Sequence, residues 1–520
     1  MHFQQKQNRA QIQMLSLEQM VAKDSYARVI DAFVDTVDFK ALDFTNTTLN
    51  SQGNLPYHPS DLLKLYLYGY QSGIRSSRKL AHCCRTNVEV MWLLGGLHPH
   101  FKTICNFRKD NKKAFTEVFR HFLLILKNWK LIEGKDFAVD SFKIRAQNSL
   151  KNNFNDKKIK RHLDYIDQKI ADYQDTLDQE DLDGKTTKEI VDKIAKQKEK
   201  QVGYQALKQA LSETEDGQIS TTDTDSRGVV FQRTSVKIGY NIQSASDTKN
   251  KLLVAFDTGD VNDTHQLANM TQLAMENTQS KQCTVLADKG YHTGVQLAKC
   301  EALQAKTFVS PKSSASSVTN GVYSVDLFTY NPTEDTYTCP QGNTMSSNGV
   351  VYSRRSKKKN AHDISFKHYK TKACKHCPIK TQCTNQKYGR VLQRSQHQDA
   401  IDRNNDRLMQ HPDYYRNRQQ IIEHQFGTLK RQWHLDHTLV KTKPLVLTEI
   451  AIAFTAYNLR RSLSILGLTE LIRRLKAVFD SFLCCHASTT LSWIKSIGTI
   501  ISRSINYPTT KPTLCYFRIN

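Results

Sequence analysis

The sequence predicts an α/β fold with a helical N-terminal region, and three observations carry that prediction. An apolar run of strand length carries an internal carboxylate at Asp136–Ile144, and another ends on one at Cys283–Asp288. These and other strand-like runs alternate with segments of helical spacing. Upstream, the residues from Pro59 to Trp129 read as consecutive short helices with tight connections.

Residues 1 to about 55 are polar with scattered apolar side chains and carry no usable motif. From Pro59, Ser60-Asp61 starts a helix through Leu62, Leu63, Leu65, Tyr66 and Leu67, and Gly69 and Gly73 close it. A second helix begins at Ser76-Ser77, and a third runs from Thr86 or Asn87 to Gly95-Gly96. With exposed Arg75, Arg78, Lys79 and Arg85, these helices are consistent with a helix-turn-helix DNA reader, a small structural bundle being the alternative. An amphipathic helix over Lys112–Trp129 follows.

The strand Asp136–Ile144 carries Asp140 inside an otherwise apolar run. A buried carboxylate is costly unless paired or metal-bound, so Asp140 is a candidate ligand; satisfaction by a backbone turn is the alternative. Between about 151 and 215, Ile159, Leu163, Ile166, Ile170, Tyr173 and Leu177 are spaced 4-3-4-3-4, a heptad seam. After Asp183-Gly184 a second run bears Ile190, Ile194, Val202 and Leu207, which predicts a helical hairpin. Strands resume at Gly228–Phe231, Val236–Ser244 and Lys251–Asp257, and Asn262-Asp263 starts a helix. The run Cys283–Ala287 then ends on Asp288 and a glycine turn, at the carboxyl end of a strand, where α/β proteins place their chemistry; a helix-capping aspartate is the alternative. Thr307–Ser310 gives one further strand.

Residues 315–410 turn Ser- and Lys-rich, with runs such as Ser353–Lys359. Cys374-Lys375-His376-Cys377 has the two-residue gap of a zinc knuckle, and Cys339 and Cys383 complete a candidate four-thiolate site. Free thiols or a redox pair are the alternatives, and His376 is a bystander. Next, in Tyr415–Lys430, helical spacing groups Arg416, Gln419, Gln420, Glu423, Phe426, Gly427 and Lys430 on one side, placing cations above and below Glu423. An apolar helix over Leu447–Leu459 follows, and the chain ends in a tail with few motifs.

Lys and Arg total 74 against 50 Asp and Glu, a net charge of +24, which points to a polyanionic partner, nucleic acid before a membrane surface. The N-terminus lacks the apolar core of a signal peptide, and no stretch approaches about 18 uninterrupted apolar residues. A cytoplasmic location is expected, so the 12 cysteines are not a disulfide framework. Two strand-borne aspartates and a helical glutamate amid cations form the minimum set for phosphoryl transfer with two metal ions roughly 4 Å apart. In that scheme Asp140 bridges the ions, Asp288 and Glu423 each hold one, and Lys430 and Arg416 contact phosphate.

The set Val139-Asp140-Ser141, Ala287-Asp288-Lys289-Gly290-Tyr291 and Tyr415-x2-Arg418 with Glu423-x6-Lys430 resembles the DDE transposases of bacterial insertion sequences. The resemblance is closest to the branch with a tyrosine-arginine-glutamate-lysine signature and a four-cysteine insertion. Asp223–Arg227, Gly239–Gln243 and Glu423–Trp433 share in it, as does Pro59–Arg108 with that branch's DNA-binding domain. It implies an RNase H-like mixed-sheet core, catalysis by Asp140, Asp288 and Glu423, and Mg2+ or Mn2+ as a metal pair, with Zn2+ at the cysteines. It implies DNA as partner, both the element's terminal repeats and a target, with a homodimer or higher oligomer on paired ends and a place at the bacterial nucleoid. DNA contacts fall to Lys430, Arg416, Arg418, Tyr415 and Lys289, and to Arg78, Lys79 and Arg85. One departure stands out: the commonest spacing puts arginine four residues before the glutamate, where this chain has Gln419, and at about 100° per residue Arg418 faces elsewhere, so Arg416 is its substitute.

The expected organisation is an N-terminal DNA-binding region at 1–130, a core at 131–150 and 216–314, a hairpin insertion at 151–215 and a four-cysteine insertion at 315–410. The glutamate helix and C-terminal helix close the core at 411–475, and 476–520 is a tail.

Overall fold

A computed structural model describes residues 10–12, 14–48, 55–179, 184–214, 216–232, 234–259, 261–311, 323–354 and 364–481. Asp183, the basic run from Arg355 to Lys359 and the tail from 482 onward lie outside the described residues. The architecture is mixed α/β, with a helical N-terminal region and mixed sheets.

The larger sheet has six strands: β1 (Asp136–Arg145), β2 (Arg227–Gln232), β3 (Ser235–Asp247), β4 (Leu252–Thr258), β5 (Cys283–Ala287) and β6 (Ala305–Val309). Its order is β2-β3-β1-β5-β6, and β4 shares with β2 the same edge of the long β3. β1 pairs antiparallel with β3 and parallel with β5, and β5 pairs parallel with β6. Parallel pairs require crossovers, and helices Leu267–Thr278 and Gly294–Ala302 lie on the approaches to β5 and β6. Val285, Leu286 and Ala287 of β5 are buried, as expected for a strand covered on both faces.

One apolar core runs from the N-terminal helices into this sheet, joining Phe33, Tyr66 and Phe115 to Phe137, Val285 and Phe454. The centre is the helix Lys443–Leu466, which packs on Lys112–Asn128, Pro59–Gln71 and β4. Being buried along Ile450–Leu459, it must satisfy its polar side chains locally. Asn458 therefore bonds both the amide and the carbonyl of Leu253, and Glu449 accepts from Arg108 at 3.1 Å, from Tyr70 and from the Leu439 amide. Arg108 and Glu449 are only 5% and 1% exposed, so this ion pair fixes the N-terminal helices onto the C-terminal one. Asp223 and Asp225 accept from the amides of Thr442 and Lys443, placing acids at the N-terminus of the same helix.

Helices Asp156–Gln179 and Gly184–Glu213 pair as a hairpin between β1 and β2. Ile159, Ile166 and Ile190 are buried, whereas Val202 is 65% exposed and does not join the seam. Tyr204 takes the inward position, stacked on His162 with ring centroids 4.9 Å apart, because it continues the spacing from Ile190 and Ile194. Beyond β6 a five-stranded antiparallel sheet is built from Thr329–Asn331, Thr336–Thr338, Thr344–Arg354, Ile364–Lys370 and Leu392–Ser395. Its core is Phe328, Tyr337, Met345, Tyr369 and Leu392. Few apolar residues mark these strands, so the sequence reads there as loop.

Other expectations are corrected. The stretch before residue 55 holds the helix Tyr26–Asp35, whose Ala27, Val29, Ile30, Phe33 and Val34 enter the core. A helix at Phe101–Asp110 was not expected. Arg75 is buried rather than exposed, donating to the carbonyls of His434 and His437, since the chain after Gln432 turns back against the first N-terminal loop. Among the described residues no helix is long and apolar enough to cross a membrane.

Candidate active site

Register brings two acids together. Val139 of β1 lies opposite Ala287, the last residue of β5, so Asp140 and Asp288 each follow the last paired position. Neighbouring strands are about 4.8 Å apart, which sets the two residues side by side, near enough for the charge of Asp288 to act on Asp140. Asp288 sits at the turn after β5 and accepts from the Gly290 amide at 2.7 Å. A Cβ at position 290 would meet Asp288 Oδ1 at 2.8 Å, so a larger residue there would push the carboxylate from this position. Capping and proximity to Asp140 are thus compatible roles for Asp288.

Asp140 Oδ1 accepts from the Ser141 amide at 2.7 Å, and Oδ2 accepts from Arg418 Nη1 at 3.1 Å. Burial pushes its carboxyl up to about 6; Arg418 and the Ser141 amide oppose the rise, and the charges of Asp288 and Asp263 add to it. Asp263 is the residue that sequence reasoning missed. Its Oδ1 accepts from Asn241 at 2.8 Å and Gln243 at 2.7 Å, two amide side chains on β3. Asn241 and Gln243 are buried amides two positions apart on one face of β3, the sequence signal that could have found it. Tyr291, fully buried, donates to Gln243 and closes the same pocket.

Glu423 lies on the helix Pro412–Phe426, which packs on β1 through Ile421 and Ile422 against Ala138 and through Phe426 against Phe142, centroids 5.0 Å apart. Arg418 is on the sheet-facing side, one turn before Ile421 and Ile422, and so reaches Asp140 while facing away from Glu423. Arg416 is exposed and pairs with Asp413 at 3.1 Å rather than substituting for it. Glu423 projects from the flank of the helix, is exposed, and accepts from Gln419 at 2.8 Å. The helix widens to a π-turn over Gly427–Gln432, so Lys430 does not follow the simple spacing from Glu423. Burial lowers the Lys430 pKa, and nearby Lys143 lowers it too, against Asp436.

Tyr415 is half-buried and Lys289 exposed. Arg78, Lys79 and Arg85 are exposed on the helix Ser77–Thr86, with Arg78 over the Phe101 ring at 4.2 Å. Among the described residues no three His, Cys, Asp or Glu side chains are arranged to hold a metal ion.

The four cysteines do share one place. Cys339, Cys374, Cys377 and Cys383 line a cavity of about 20 Å3 with Phe328 and Arg390. Burial raises the Cys383 thiol, Arg390 lowers it, and the other three cysteines raise it further. Gly389, at φ +104°, presses on Cys374, where a Cβ would sit 2.4 Å from the cysteine's own.

Two family models match the chain: a transposase domain (DUF772) over residues 15–110, and a transposase DDE domain over residues 338–463. The first covers the N-terminal helices; the second covers the four cysteines and Glu423 but neither Asp140 nor Asp288. No curated protein and no solved structure matches the chain.

Proposed function

We propose that this chain, a DDE-type insertion-sequence transposase by its two family matches, binds the ends of its element, cleaves DNA by metal-dependent phosphodiester hydrolysis and joins the 3′ ends to target DNA. The observation that carries the proposal is the side-by-side placement of Asp140 and Asp288 under the helix bearing Arg418 and Glu423. Support for an RNase H-like core comes from the strand order, in which an antiparallel β1–β3–β4 arrangement continues through two parallel strands.

Asp140 and Asp288 suit Mg2+ or Mn2+, which prefer oxygen ligands and few protein carboxylates, and the mutual repulsion of the acids is what a cation relieves. Bound there, the metal pair would neutralise charge at the scissile phosphate and sharpen the attacking hydroxyl. Asp263 anchors the pocket through Asn241 and Gln243, Arg418 orients Asp140, and Lys430 and Lys143 offer charge to phosphate oxygens. Glu423, exposed and bonded to Gln419 on the same helix, would join the set only on exchanging that bond for a metal. The four cysteines line one cavity without the arrangement of a formed metal site; Zn2+, whose preferred ligands are thiolates, would have to draw them together to act as a staple for the second sheet.

Nicking of a plasmid carrying the terminal repeats tests the reading. Wild type nicks only with Mg2+ or Mn2+; Asp288→Asn and Glu423→Gln abolish nicking while end binding stays within about threefold. A DNA-binding derivative without catalysis is the second reading, favoured by the outward position of Glu423. Binding without nicking by wild type selects it, and nicking without strand transfer selects a nuclease.

A further inference from the structure

The root of the helical hairpin carries charge that the proposed chemistry leaves unused. Where the hairpin leaves the large sheet, a cleft of about 890 Å3 is lined by Leu150, Lys157, Lys158, Lys160, Arg161 and Asp164 among others. A second cleft, of about 380 Å3, is lined by Arg145, Leu150, Lys237 and His437 among others. Leu150 borders both, and Val236 of the first is followed in β3 by Lys237 of the second, so the two form one groove. Six Lys or Arg side chains line it against a single carboxylate, Asp164.

The cations divide by role. Lys158 Nζ donates to the carbonyls of Leu150, Lys151 and Asn153 at 2.7–2.9 Å, which fixes the first turn of the hairpin to the connection that leads into it from β1. Lys157, Lys160 and Arg161, spaced on one helical face, are exposed and form no ion pair among the described residues. Arg161 and Lys158 press on each other, and after burial both lower the His162 pKa. Arg145 pairs with Asp436 at 3.4 Å, which leaves Lys157, Lys160 and Arg161 as the cations that match a row of phosphates, and the groove has a direction. β1 runs from Asp140 to Arg145, about 17 Å for five residues, with Lys143 and Lys430 near one another along the way.

We propose that this groove is a duplex-DNA backbone track, which holds the DNA flank leading away from the acid pocket past the hairpin root. The assignment of DNA as the polyanion rests on the transposase reading. Phosphate contacts of this kind fix position and affinity without reading sequence.

The test is metal-free binding of a labelled 30-base-pair duplex of arbitrary sequence to the full chain, across a range of salt concentrations. Lys157→Glu/Lys160→Glu/Arg161→Glu lowers affinity by more than tenfold and flattens the salt dependence by about 2–3 in log–log slope, at roughly 0.9 for each phosphate no longer neutralised. The neutral triple Lys157→Gln/Lys160→Gln/Arg161→Gln gives a smaller loss in the same direction, with unchanged circular dichroism. A control reverses the same amount of charge at Lys185, Lys188 and Lys193, near the other end of the hairpin, and leaves the slope as in wild type. Equal effects of groove and control variants, no effect of either, or loss of RNA binding alone would overturn the proposal. Plasmid nicking by wild type separates the two readings: a nicking enzyme with an inert groove sinks only the track, and a non-nicking chain with a working groove sinks only the catalysis.

Discussion

Replacing Asp140 with asparagine should stabilise the metal-free protein while ending its activity. Asp140 is 24% exposed, and burial lifts its carboxyl from an ordinary 3.8 to about 6 despite the Arg418 contact. That lift corresponds to roughly 3 kcal/mol between the charged and neutral forms. Because the native pKa lies above the unfolded one, the native chain holds this proton to higher pH. The residue therefore costs stability progressively from about pH 4 to about pH 6, and the full cost persists above that. Asparagine mimics the protonated acid, so Asp140→Asn should gain roughly 3 kcal/mol at pH 8 and almost nothing near pH 4. The assay is urea unfolding at both pH values. With a slope of about 3 kcal/mol/M or more for a chain of this size, the midpoint at pH 8 rises by up to about 1 M. Added Mg2+ should raise the wild-type midpoint and leave that of the variant unmoved. A variant no more stable than wild type at pH 8, with the same pH profile, would refute the burial reasoning.

Further outcomes follow from other interactions. Glu449→Ala strands Arg108 in the core beside Tyr70 and should cost about 3–5 kcal/mol in urea unfolding, detaching the N-terminal helices first; a loss below about 1 kcal/mol would mean that the pair is not a fastener. Arg418→Ala removes the cation that holds the Asp140 pKa down, so the acidic limb of the cleavage pH profile should move to higher pH; an unmoved limb argues against that pairing. Metal analysis of purified protein should find one zinc per chain, lost in Cys374→Ser/Cys377→Ser; a zinc-free wild type refutes that site.

Much of the fold is legible because its signals are local. The strand runs at Asp136–Ile144 and Cys283–Ala287, the helix starting at Pro59 and the hairpin seam at Ile159 and Ile166 are all written in neighbouring residues. Asp140 and Asp288 are legible for the same reason, each an acid that interrupts or ends an apolar strand. The second sheet is not, since its few apolar residues, Tyr337, Met345 and Tyr369, come from separate strands and form a core only when paired.

By itself the sequence determined the types of the strongly patterned elements, the +24 charge and the candidate acids Asp140, Asp288 and Glu423, because period, composition and residue chemistry are properties of short stretches. Tertiary structure alone decided which side chains meet. Register on β1 and β5 aligned Asp140 with Asp288, the seat of a helix on Ala138 turned Arg418 inward and Glu423 outward, and β3 delivered Asn241 and Gln243 to Asp263. The Arg418–Asp140 bond alone joins residues 278 positions apart, and packing geometry over such separations is not encoded in any local pattern.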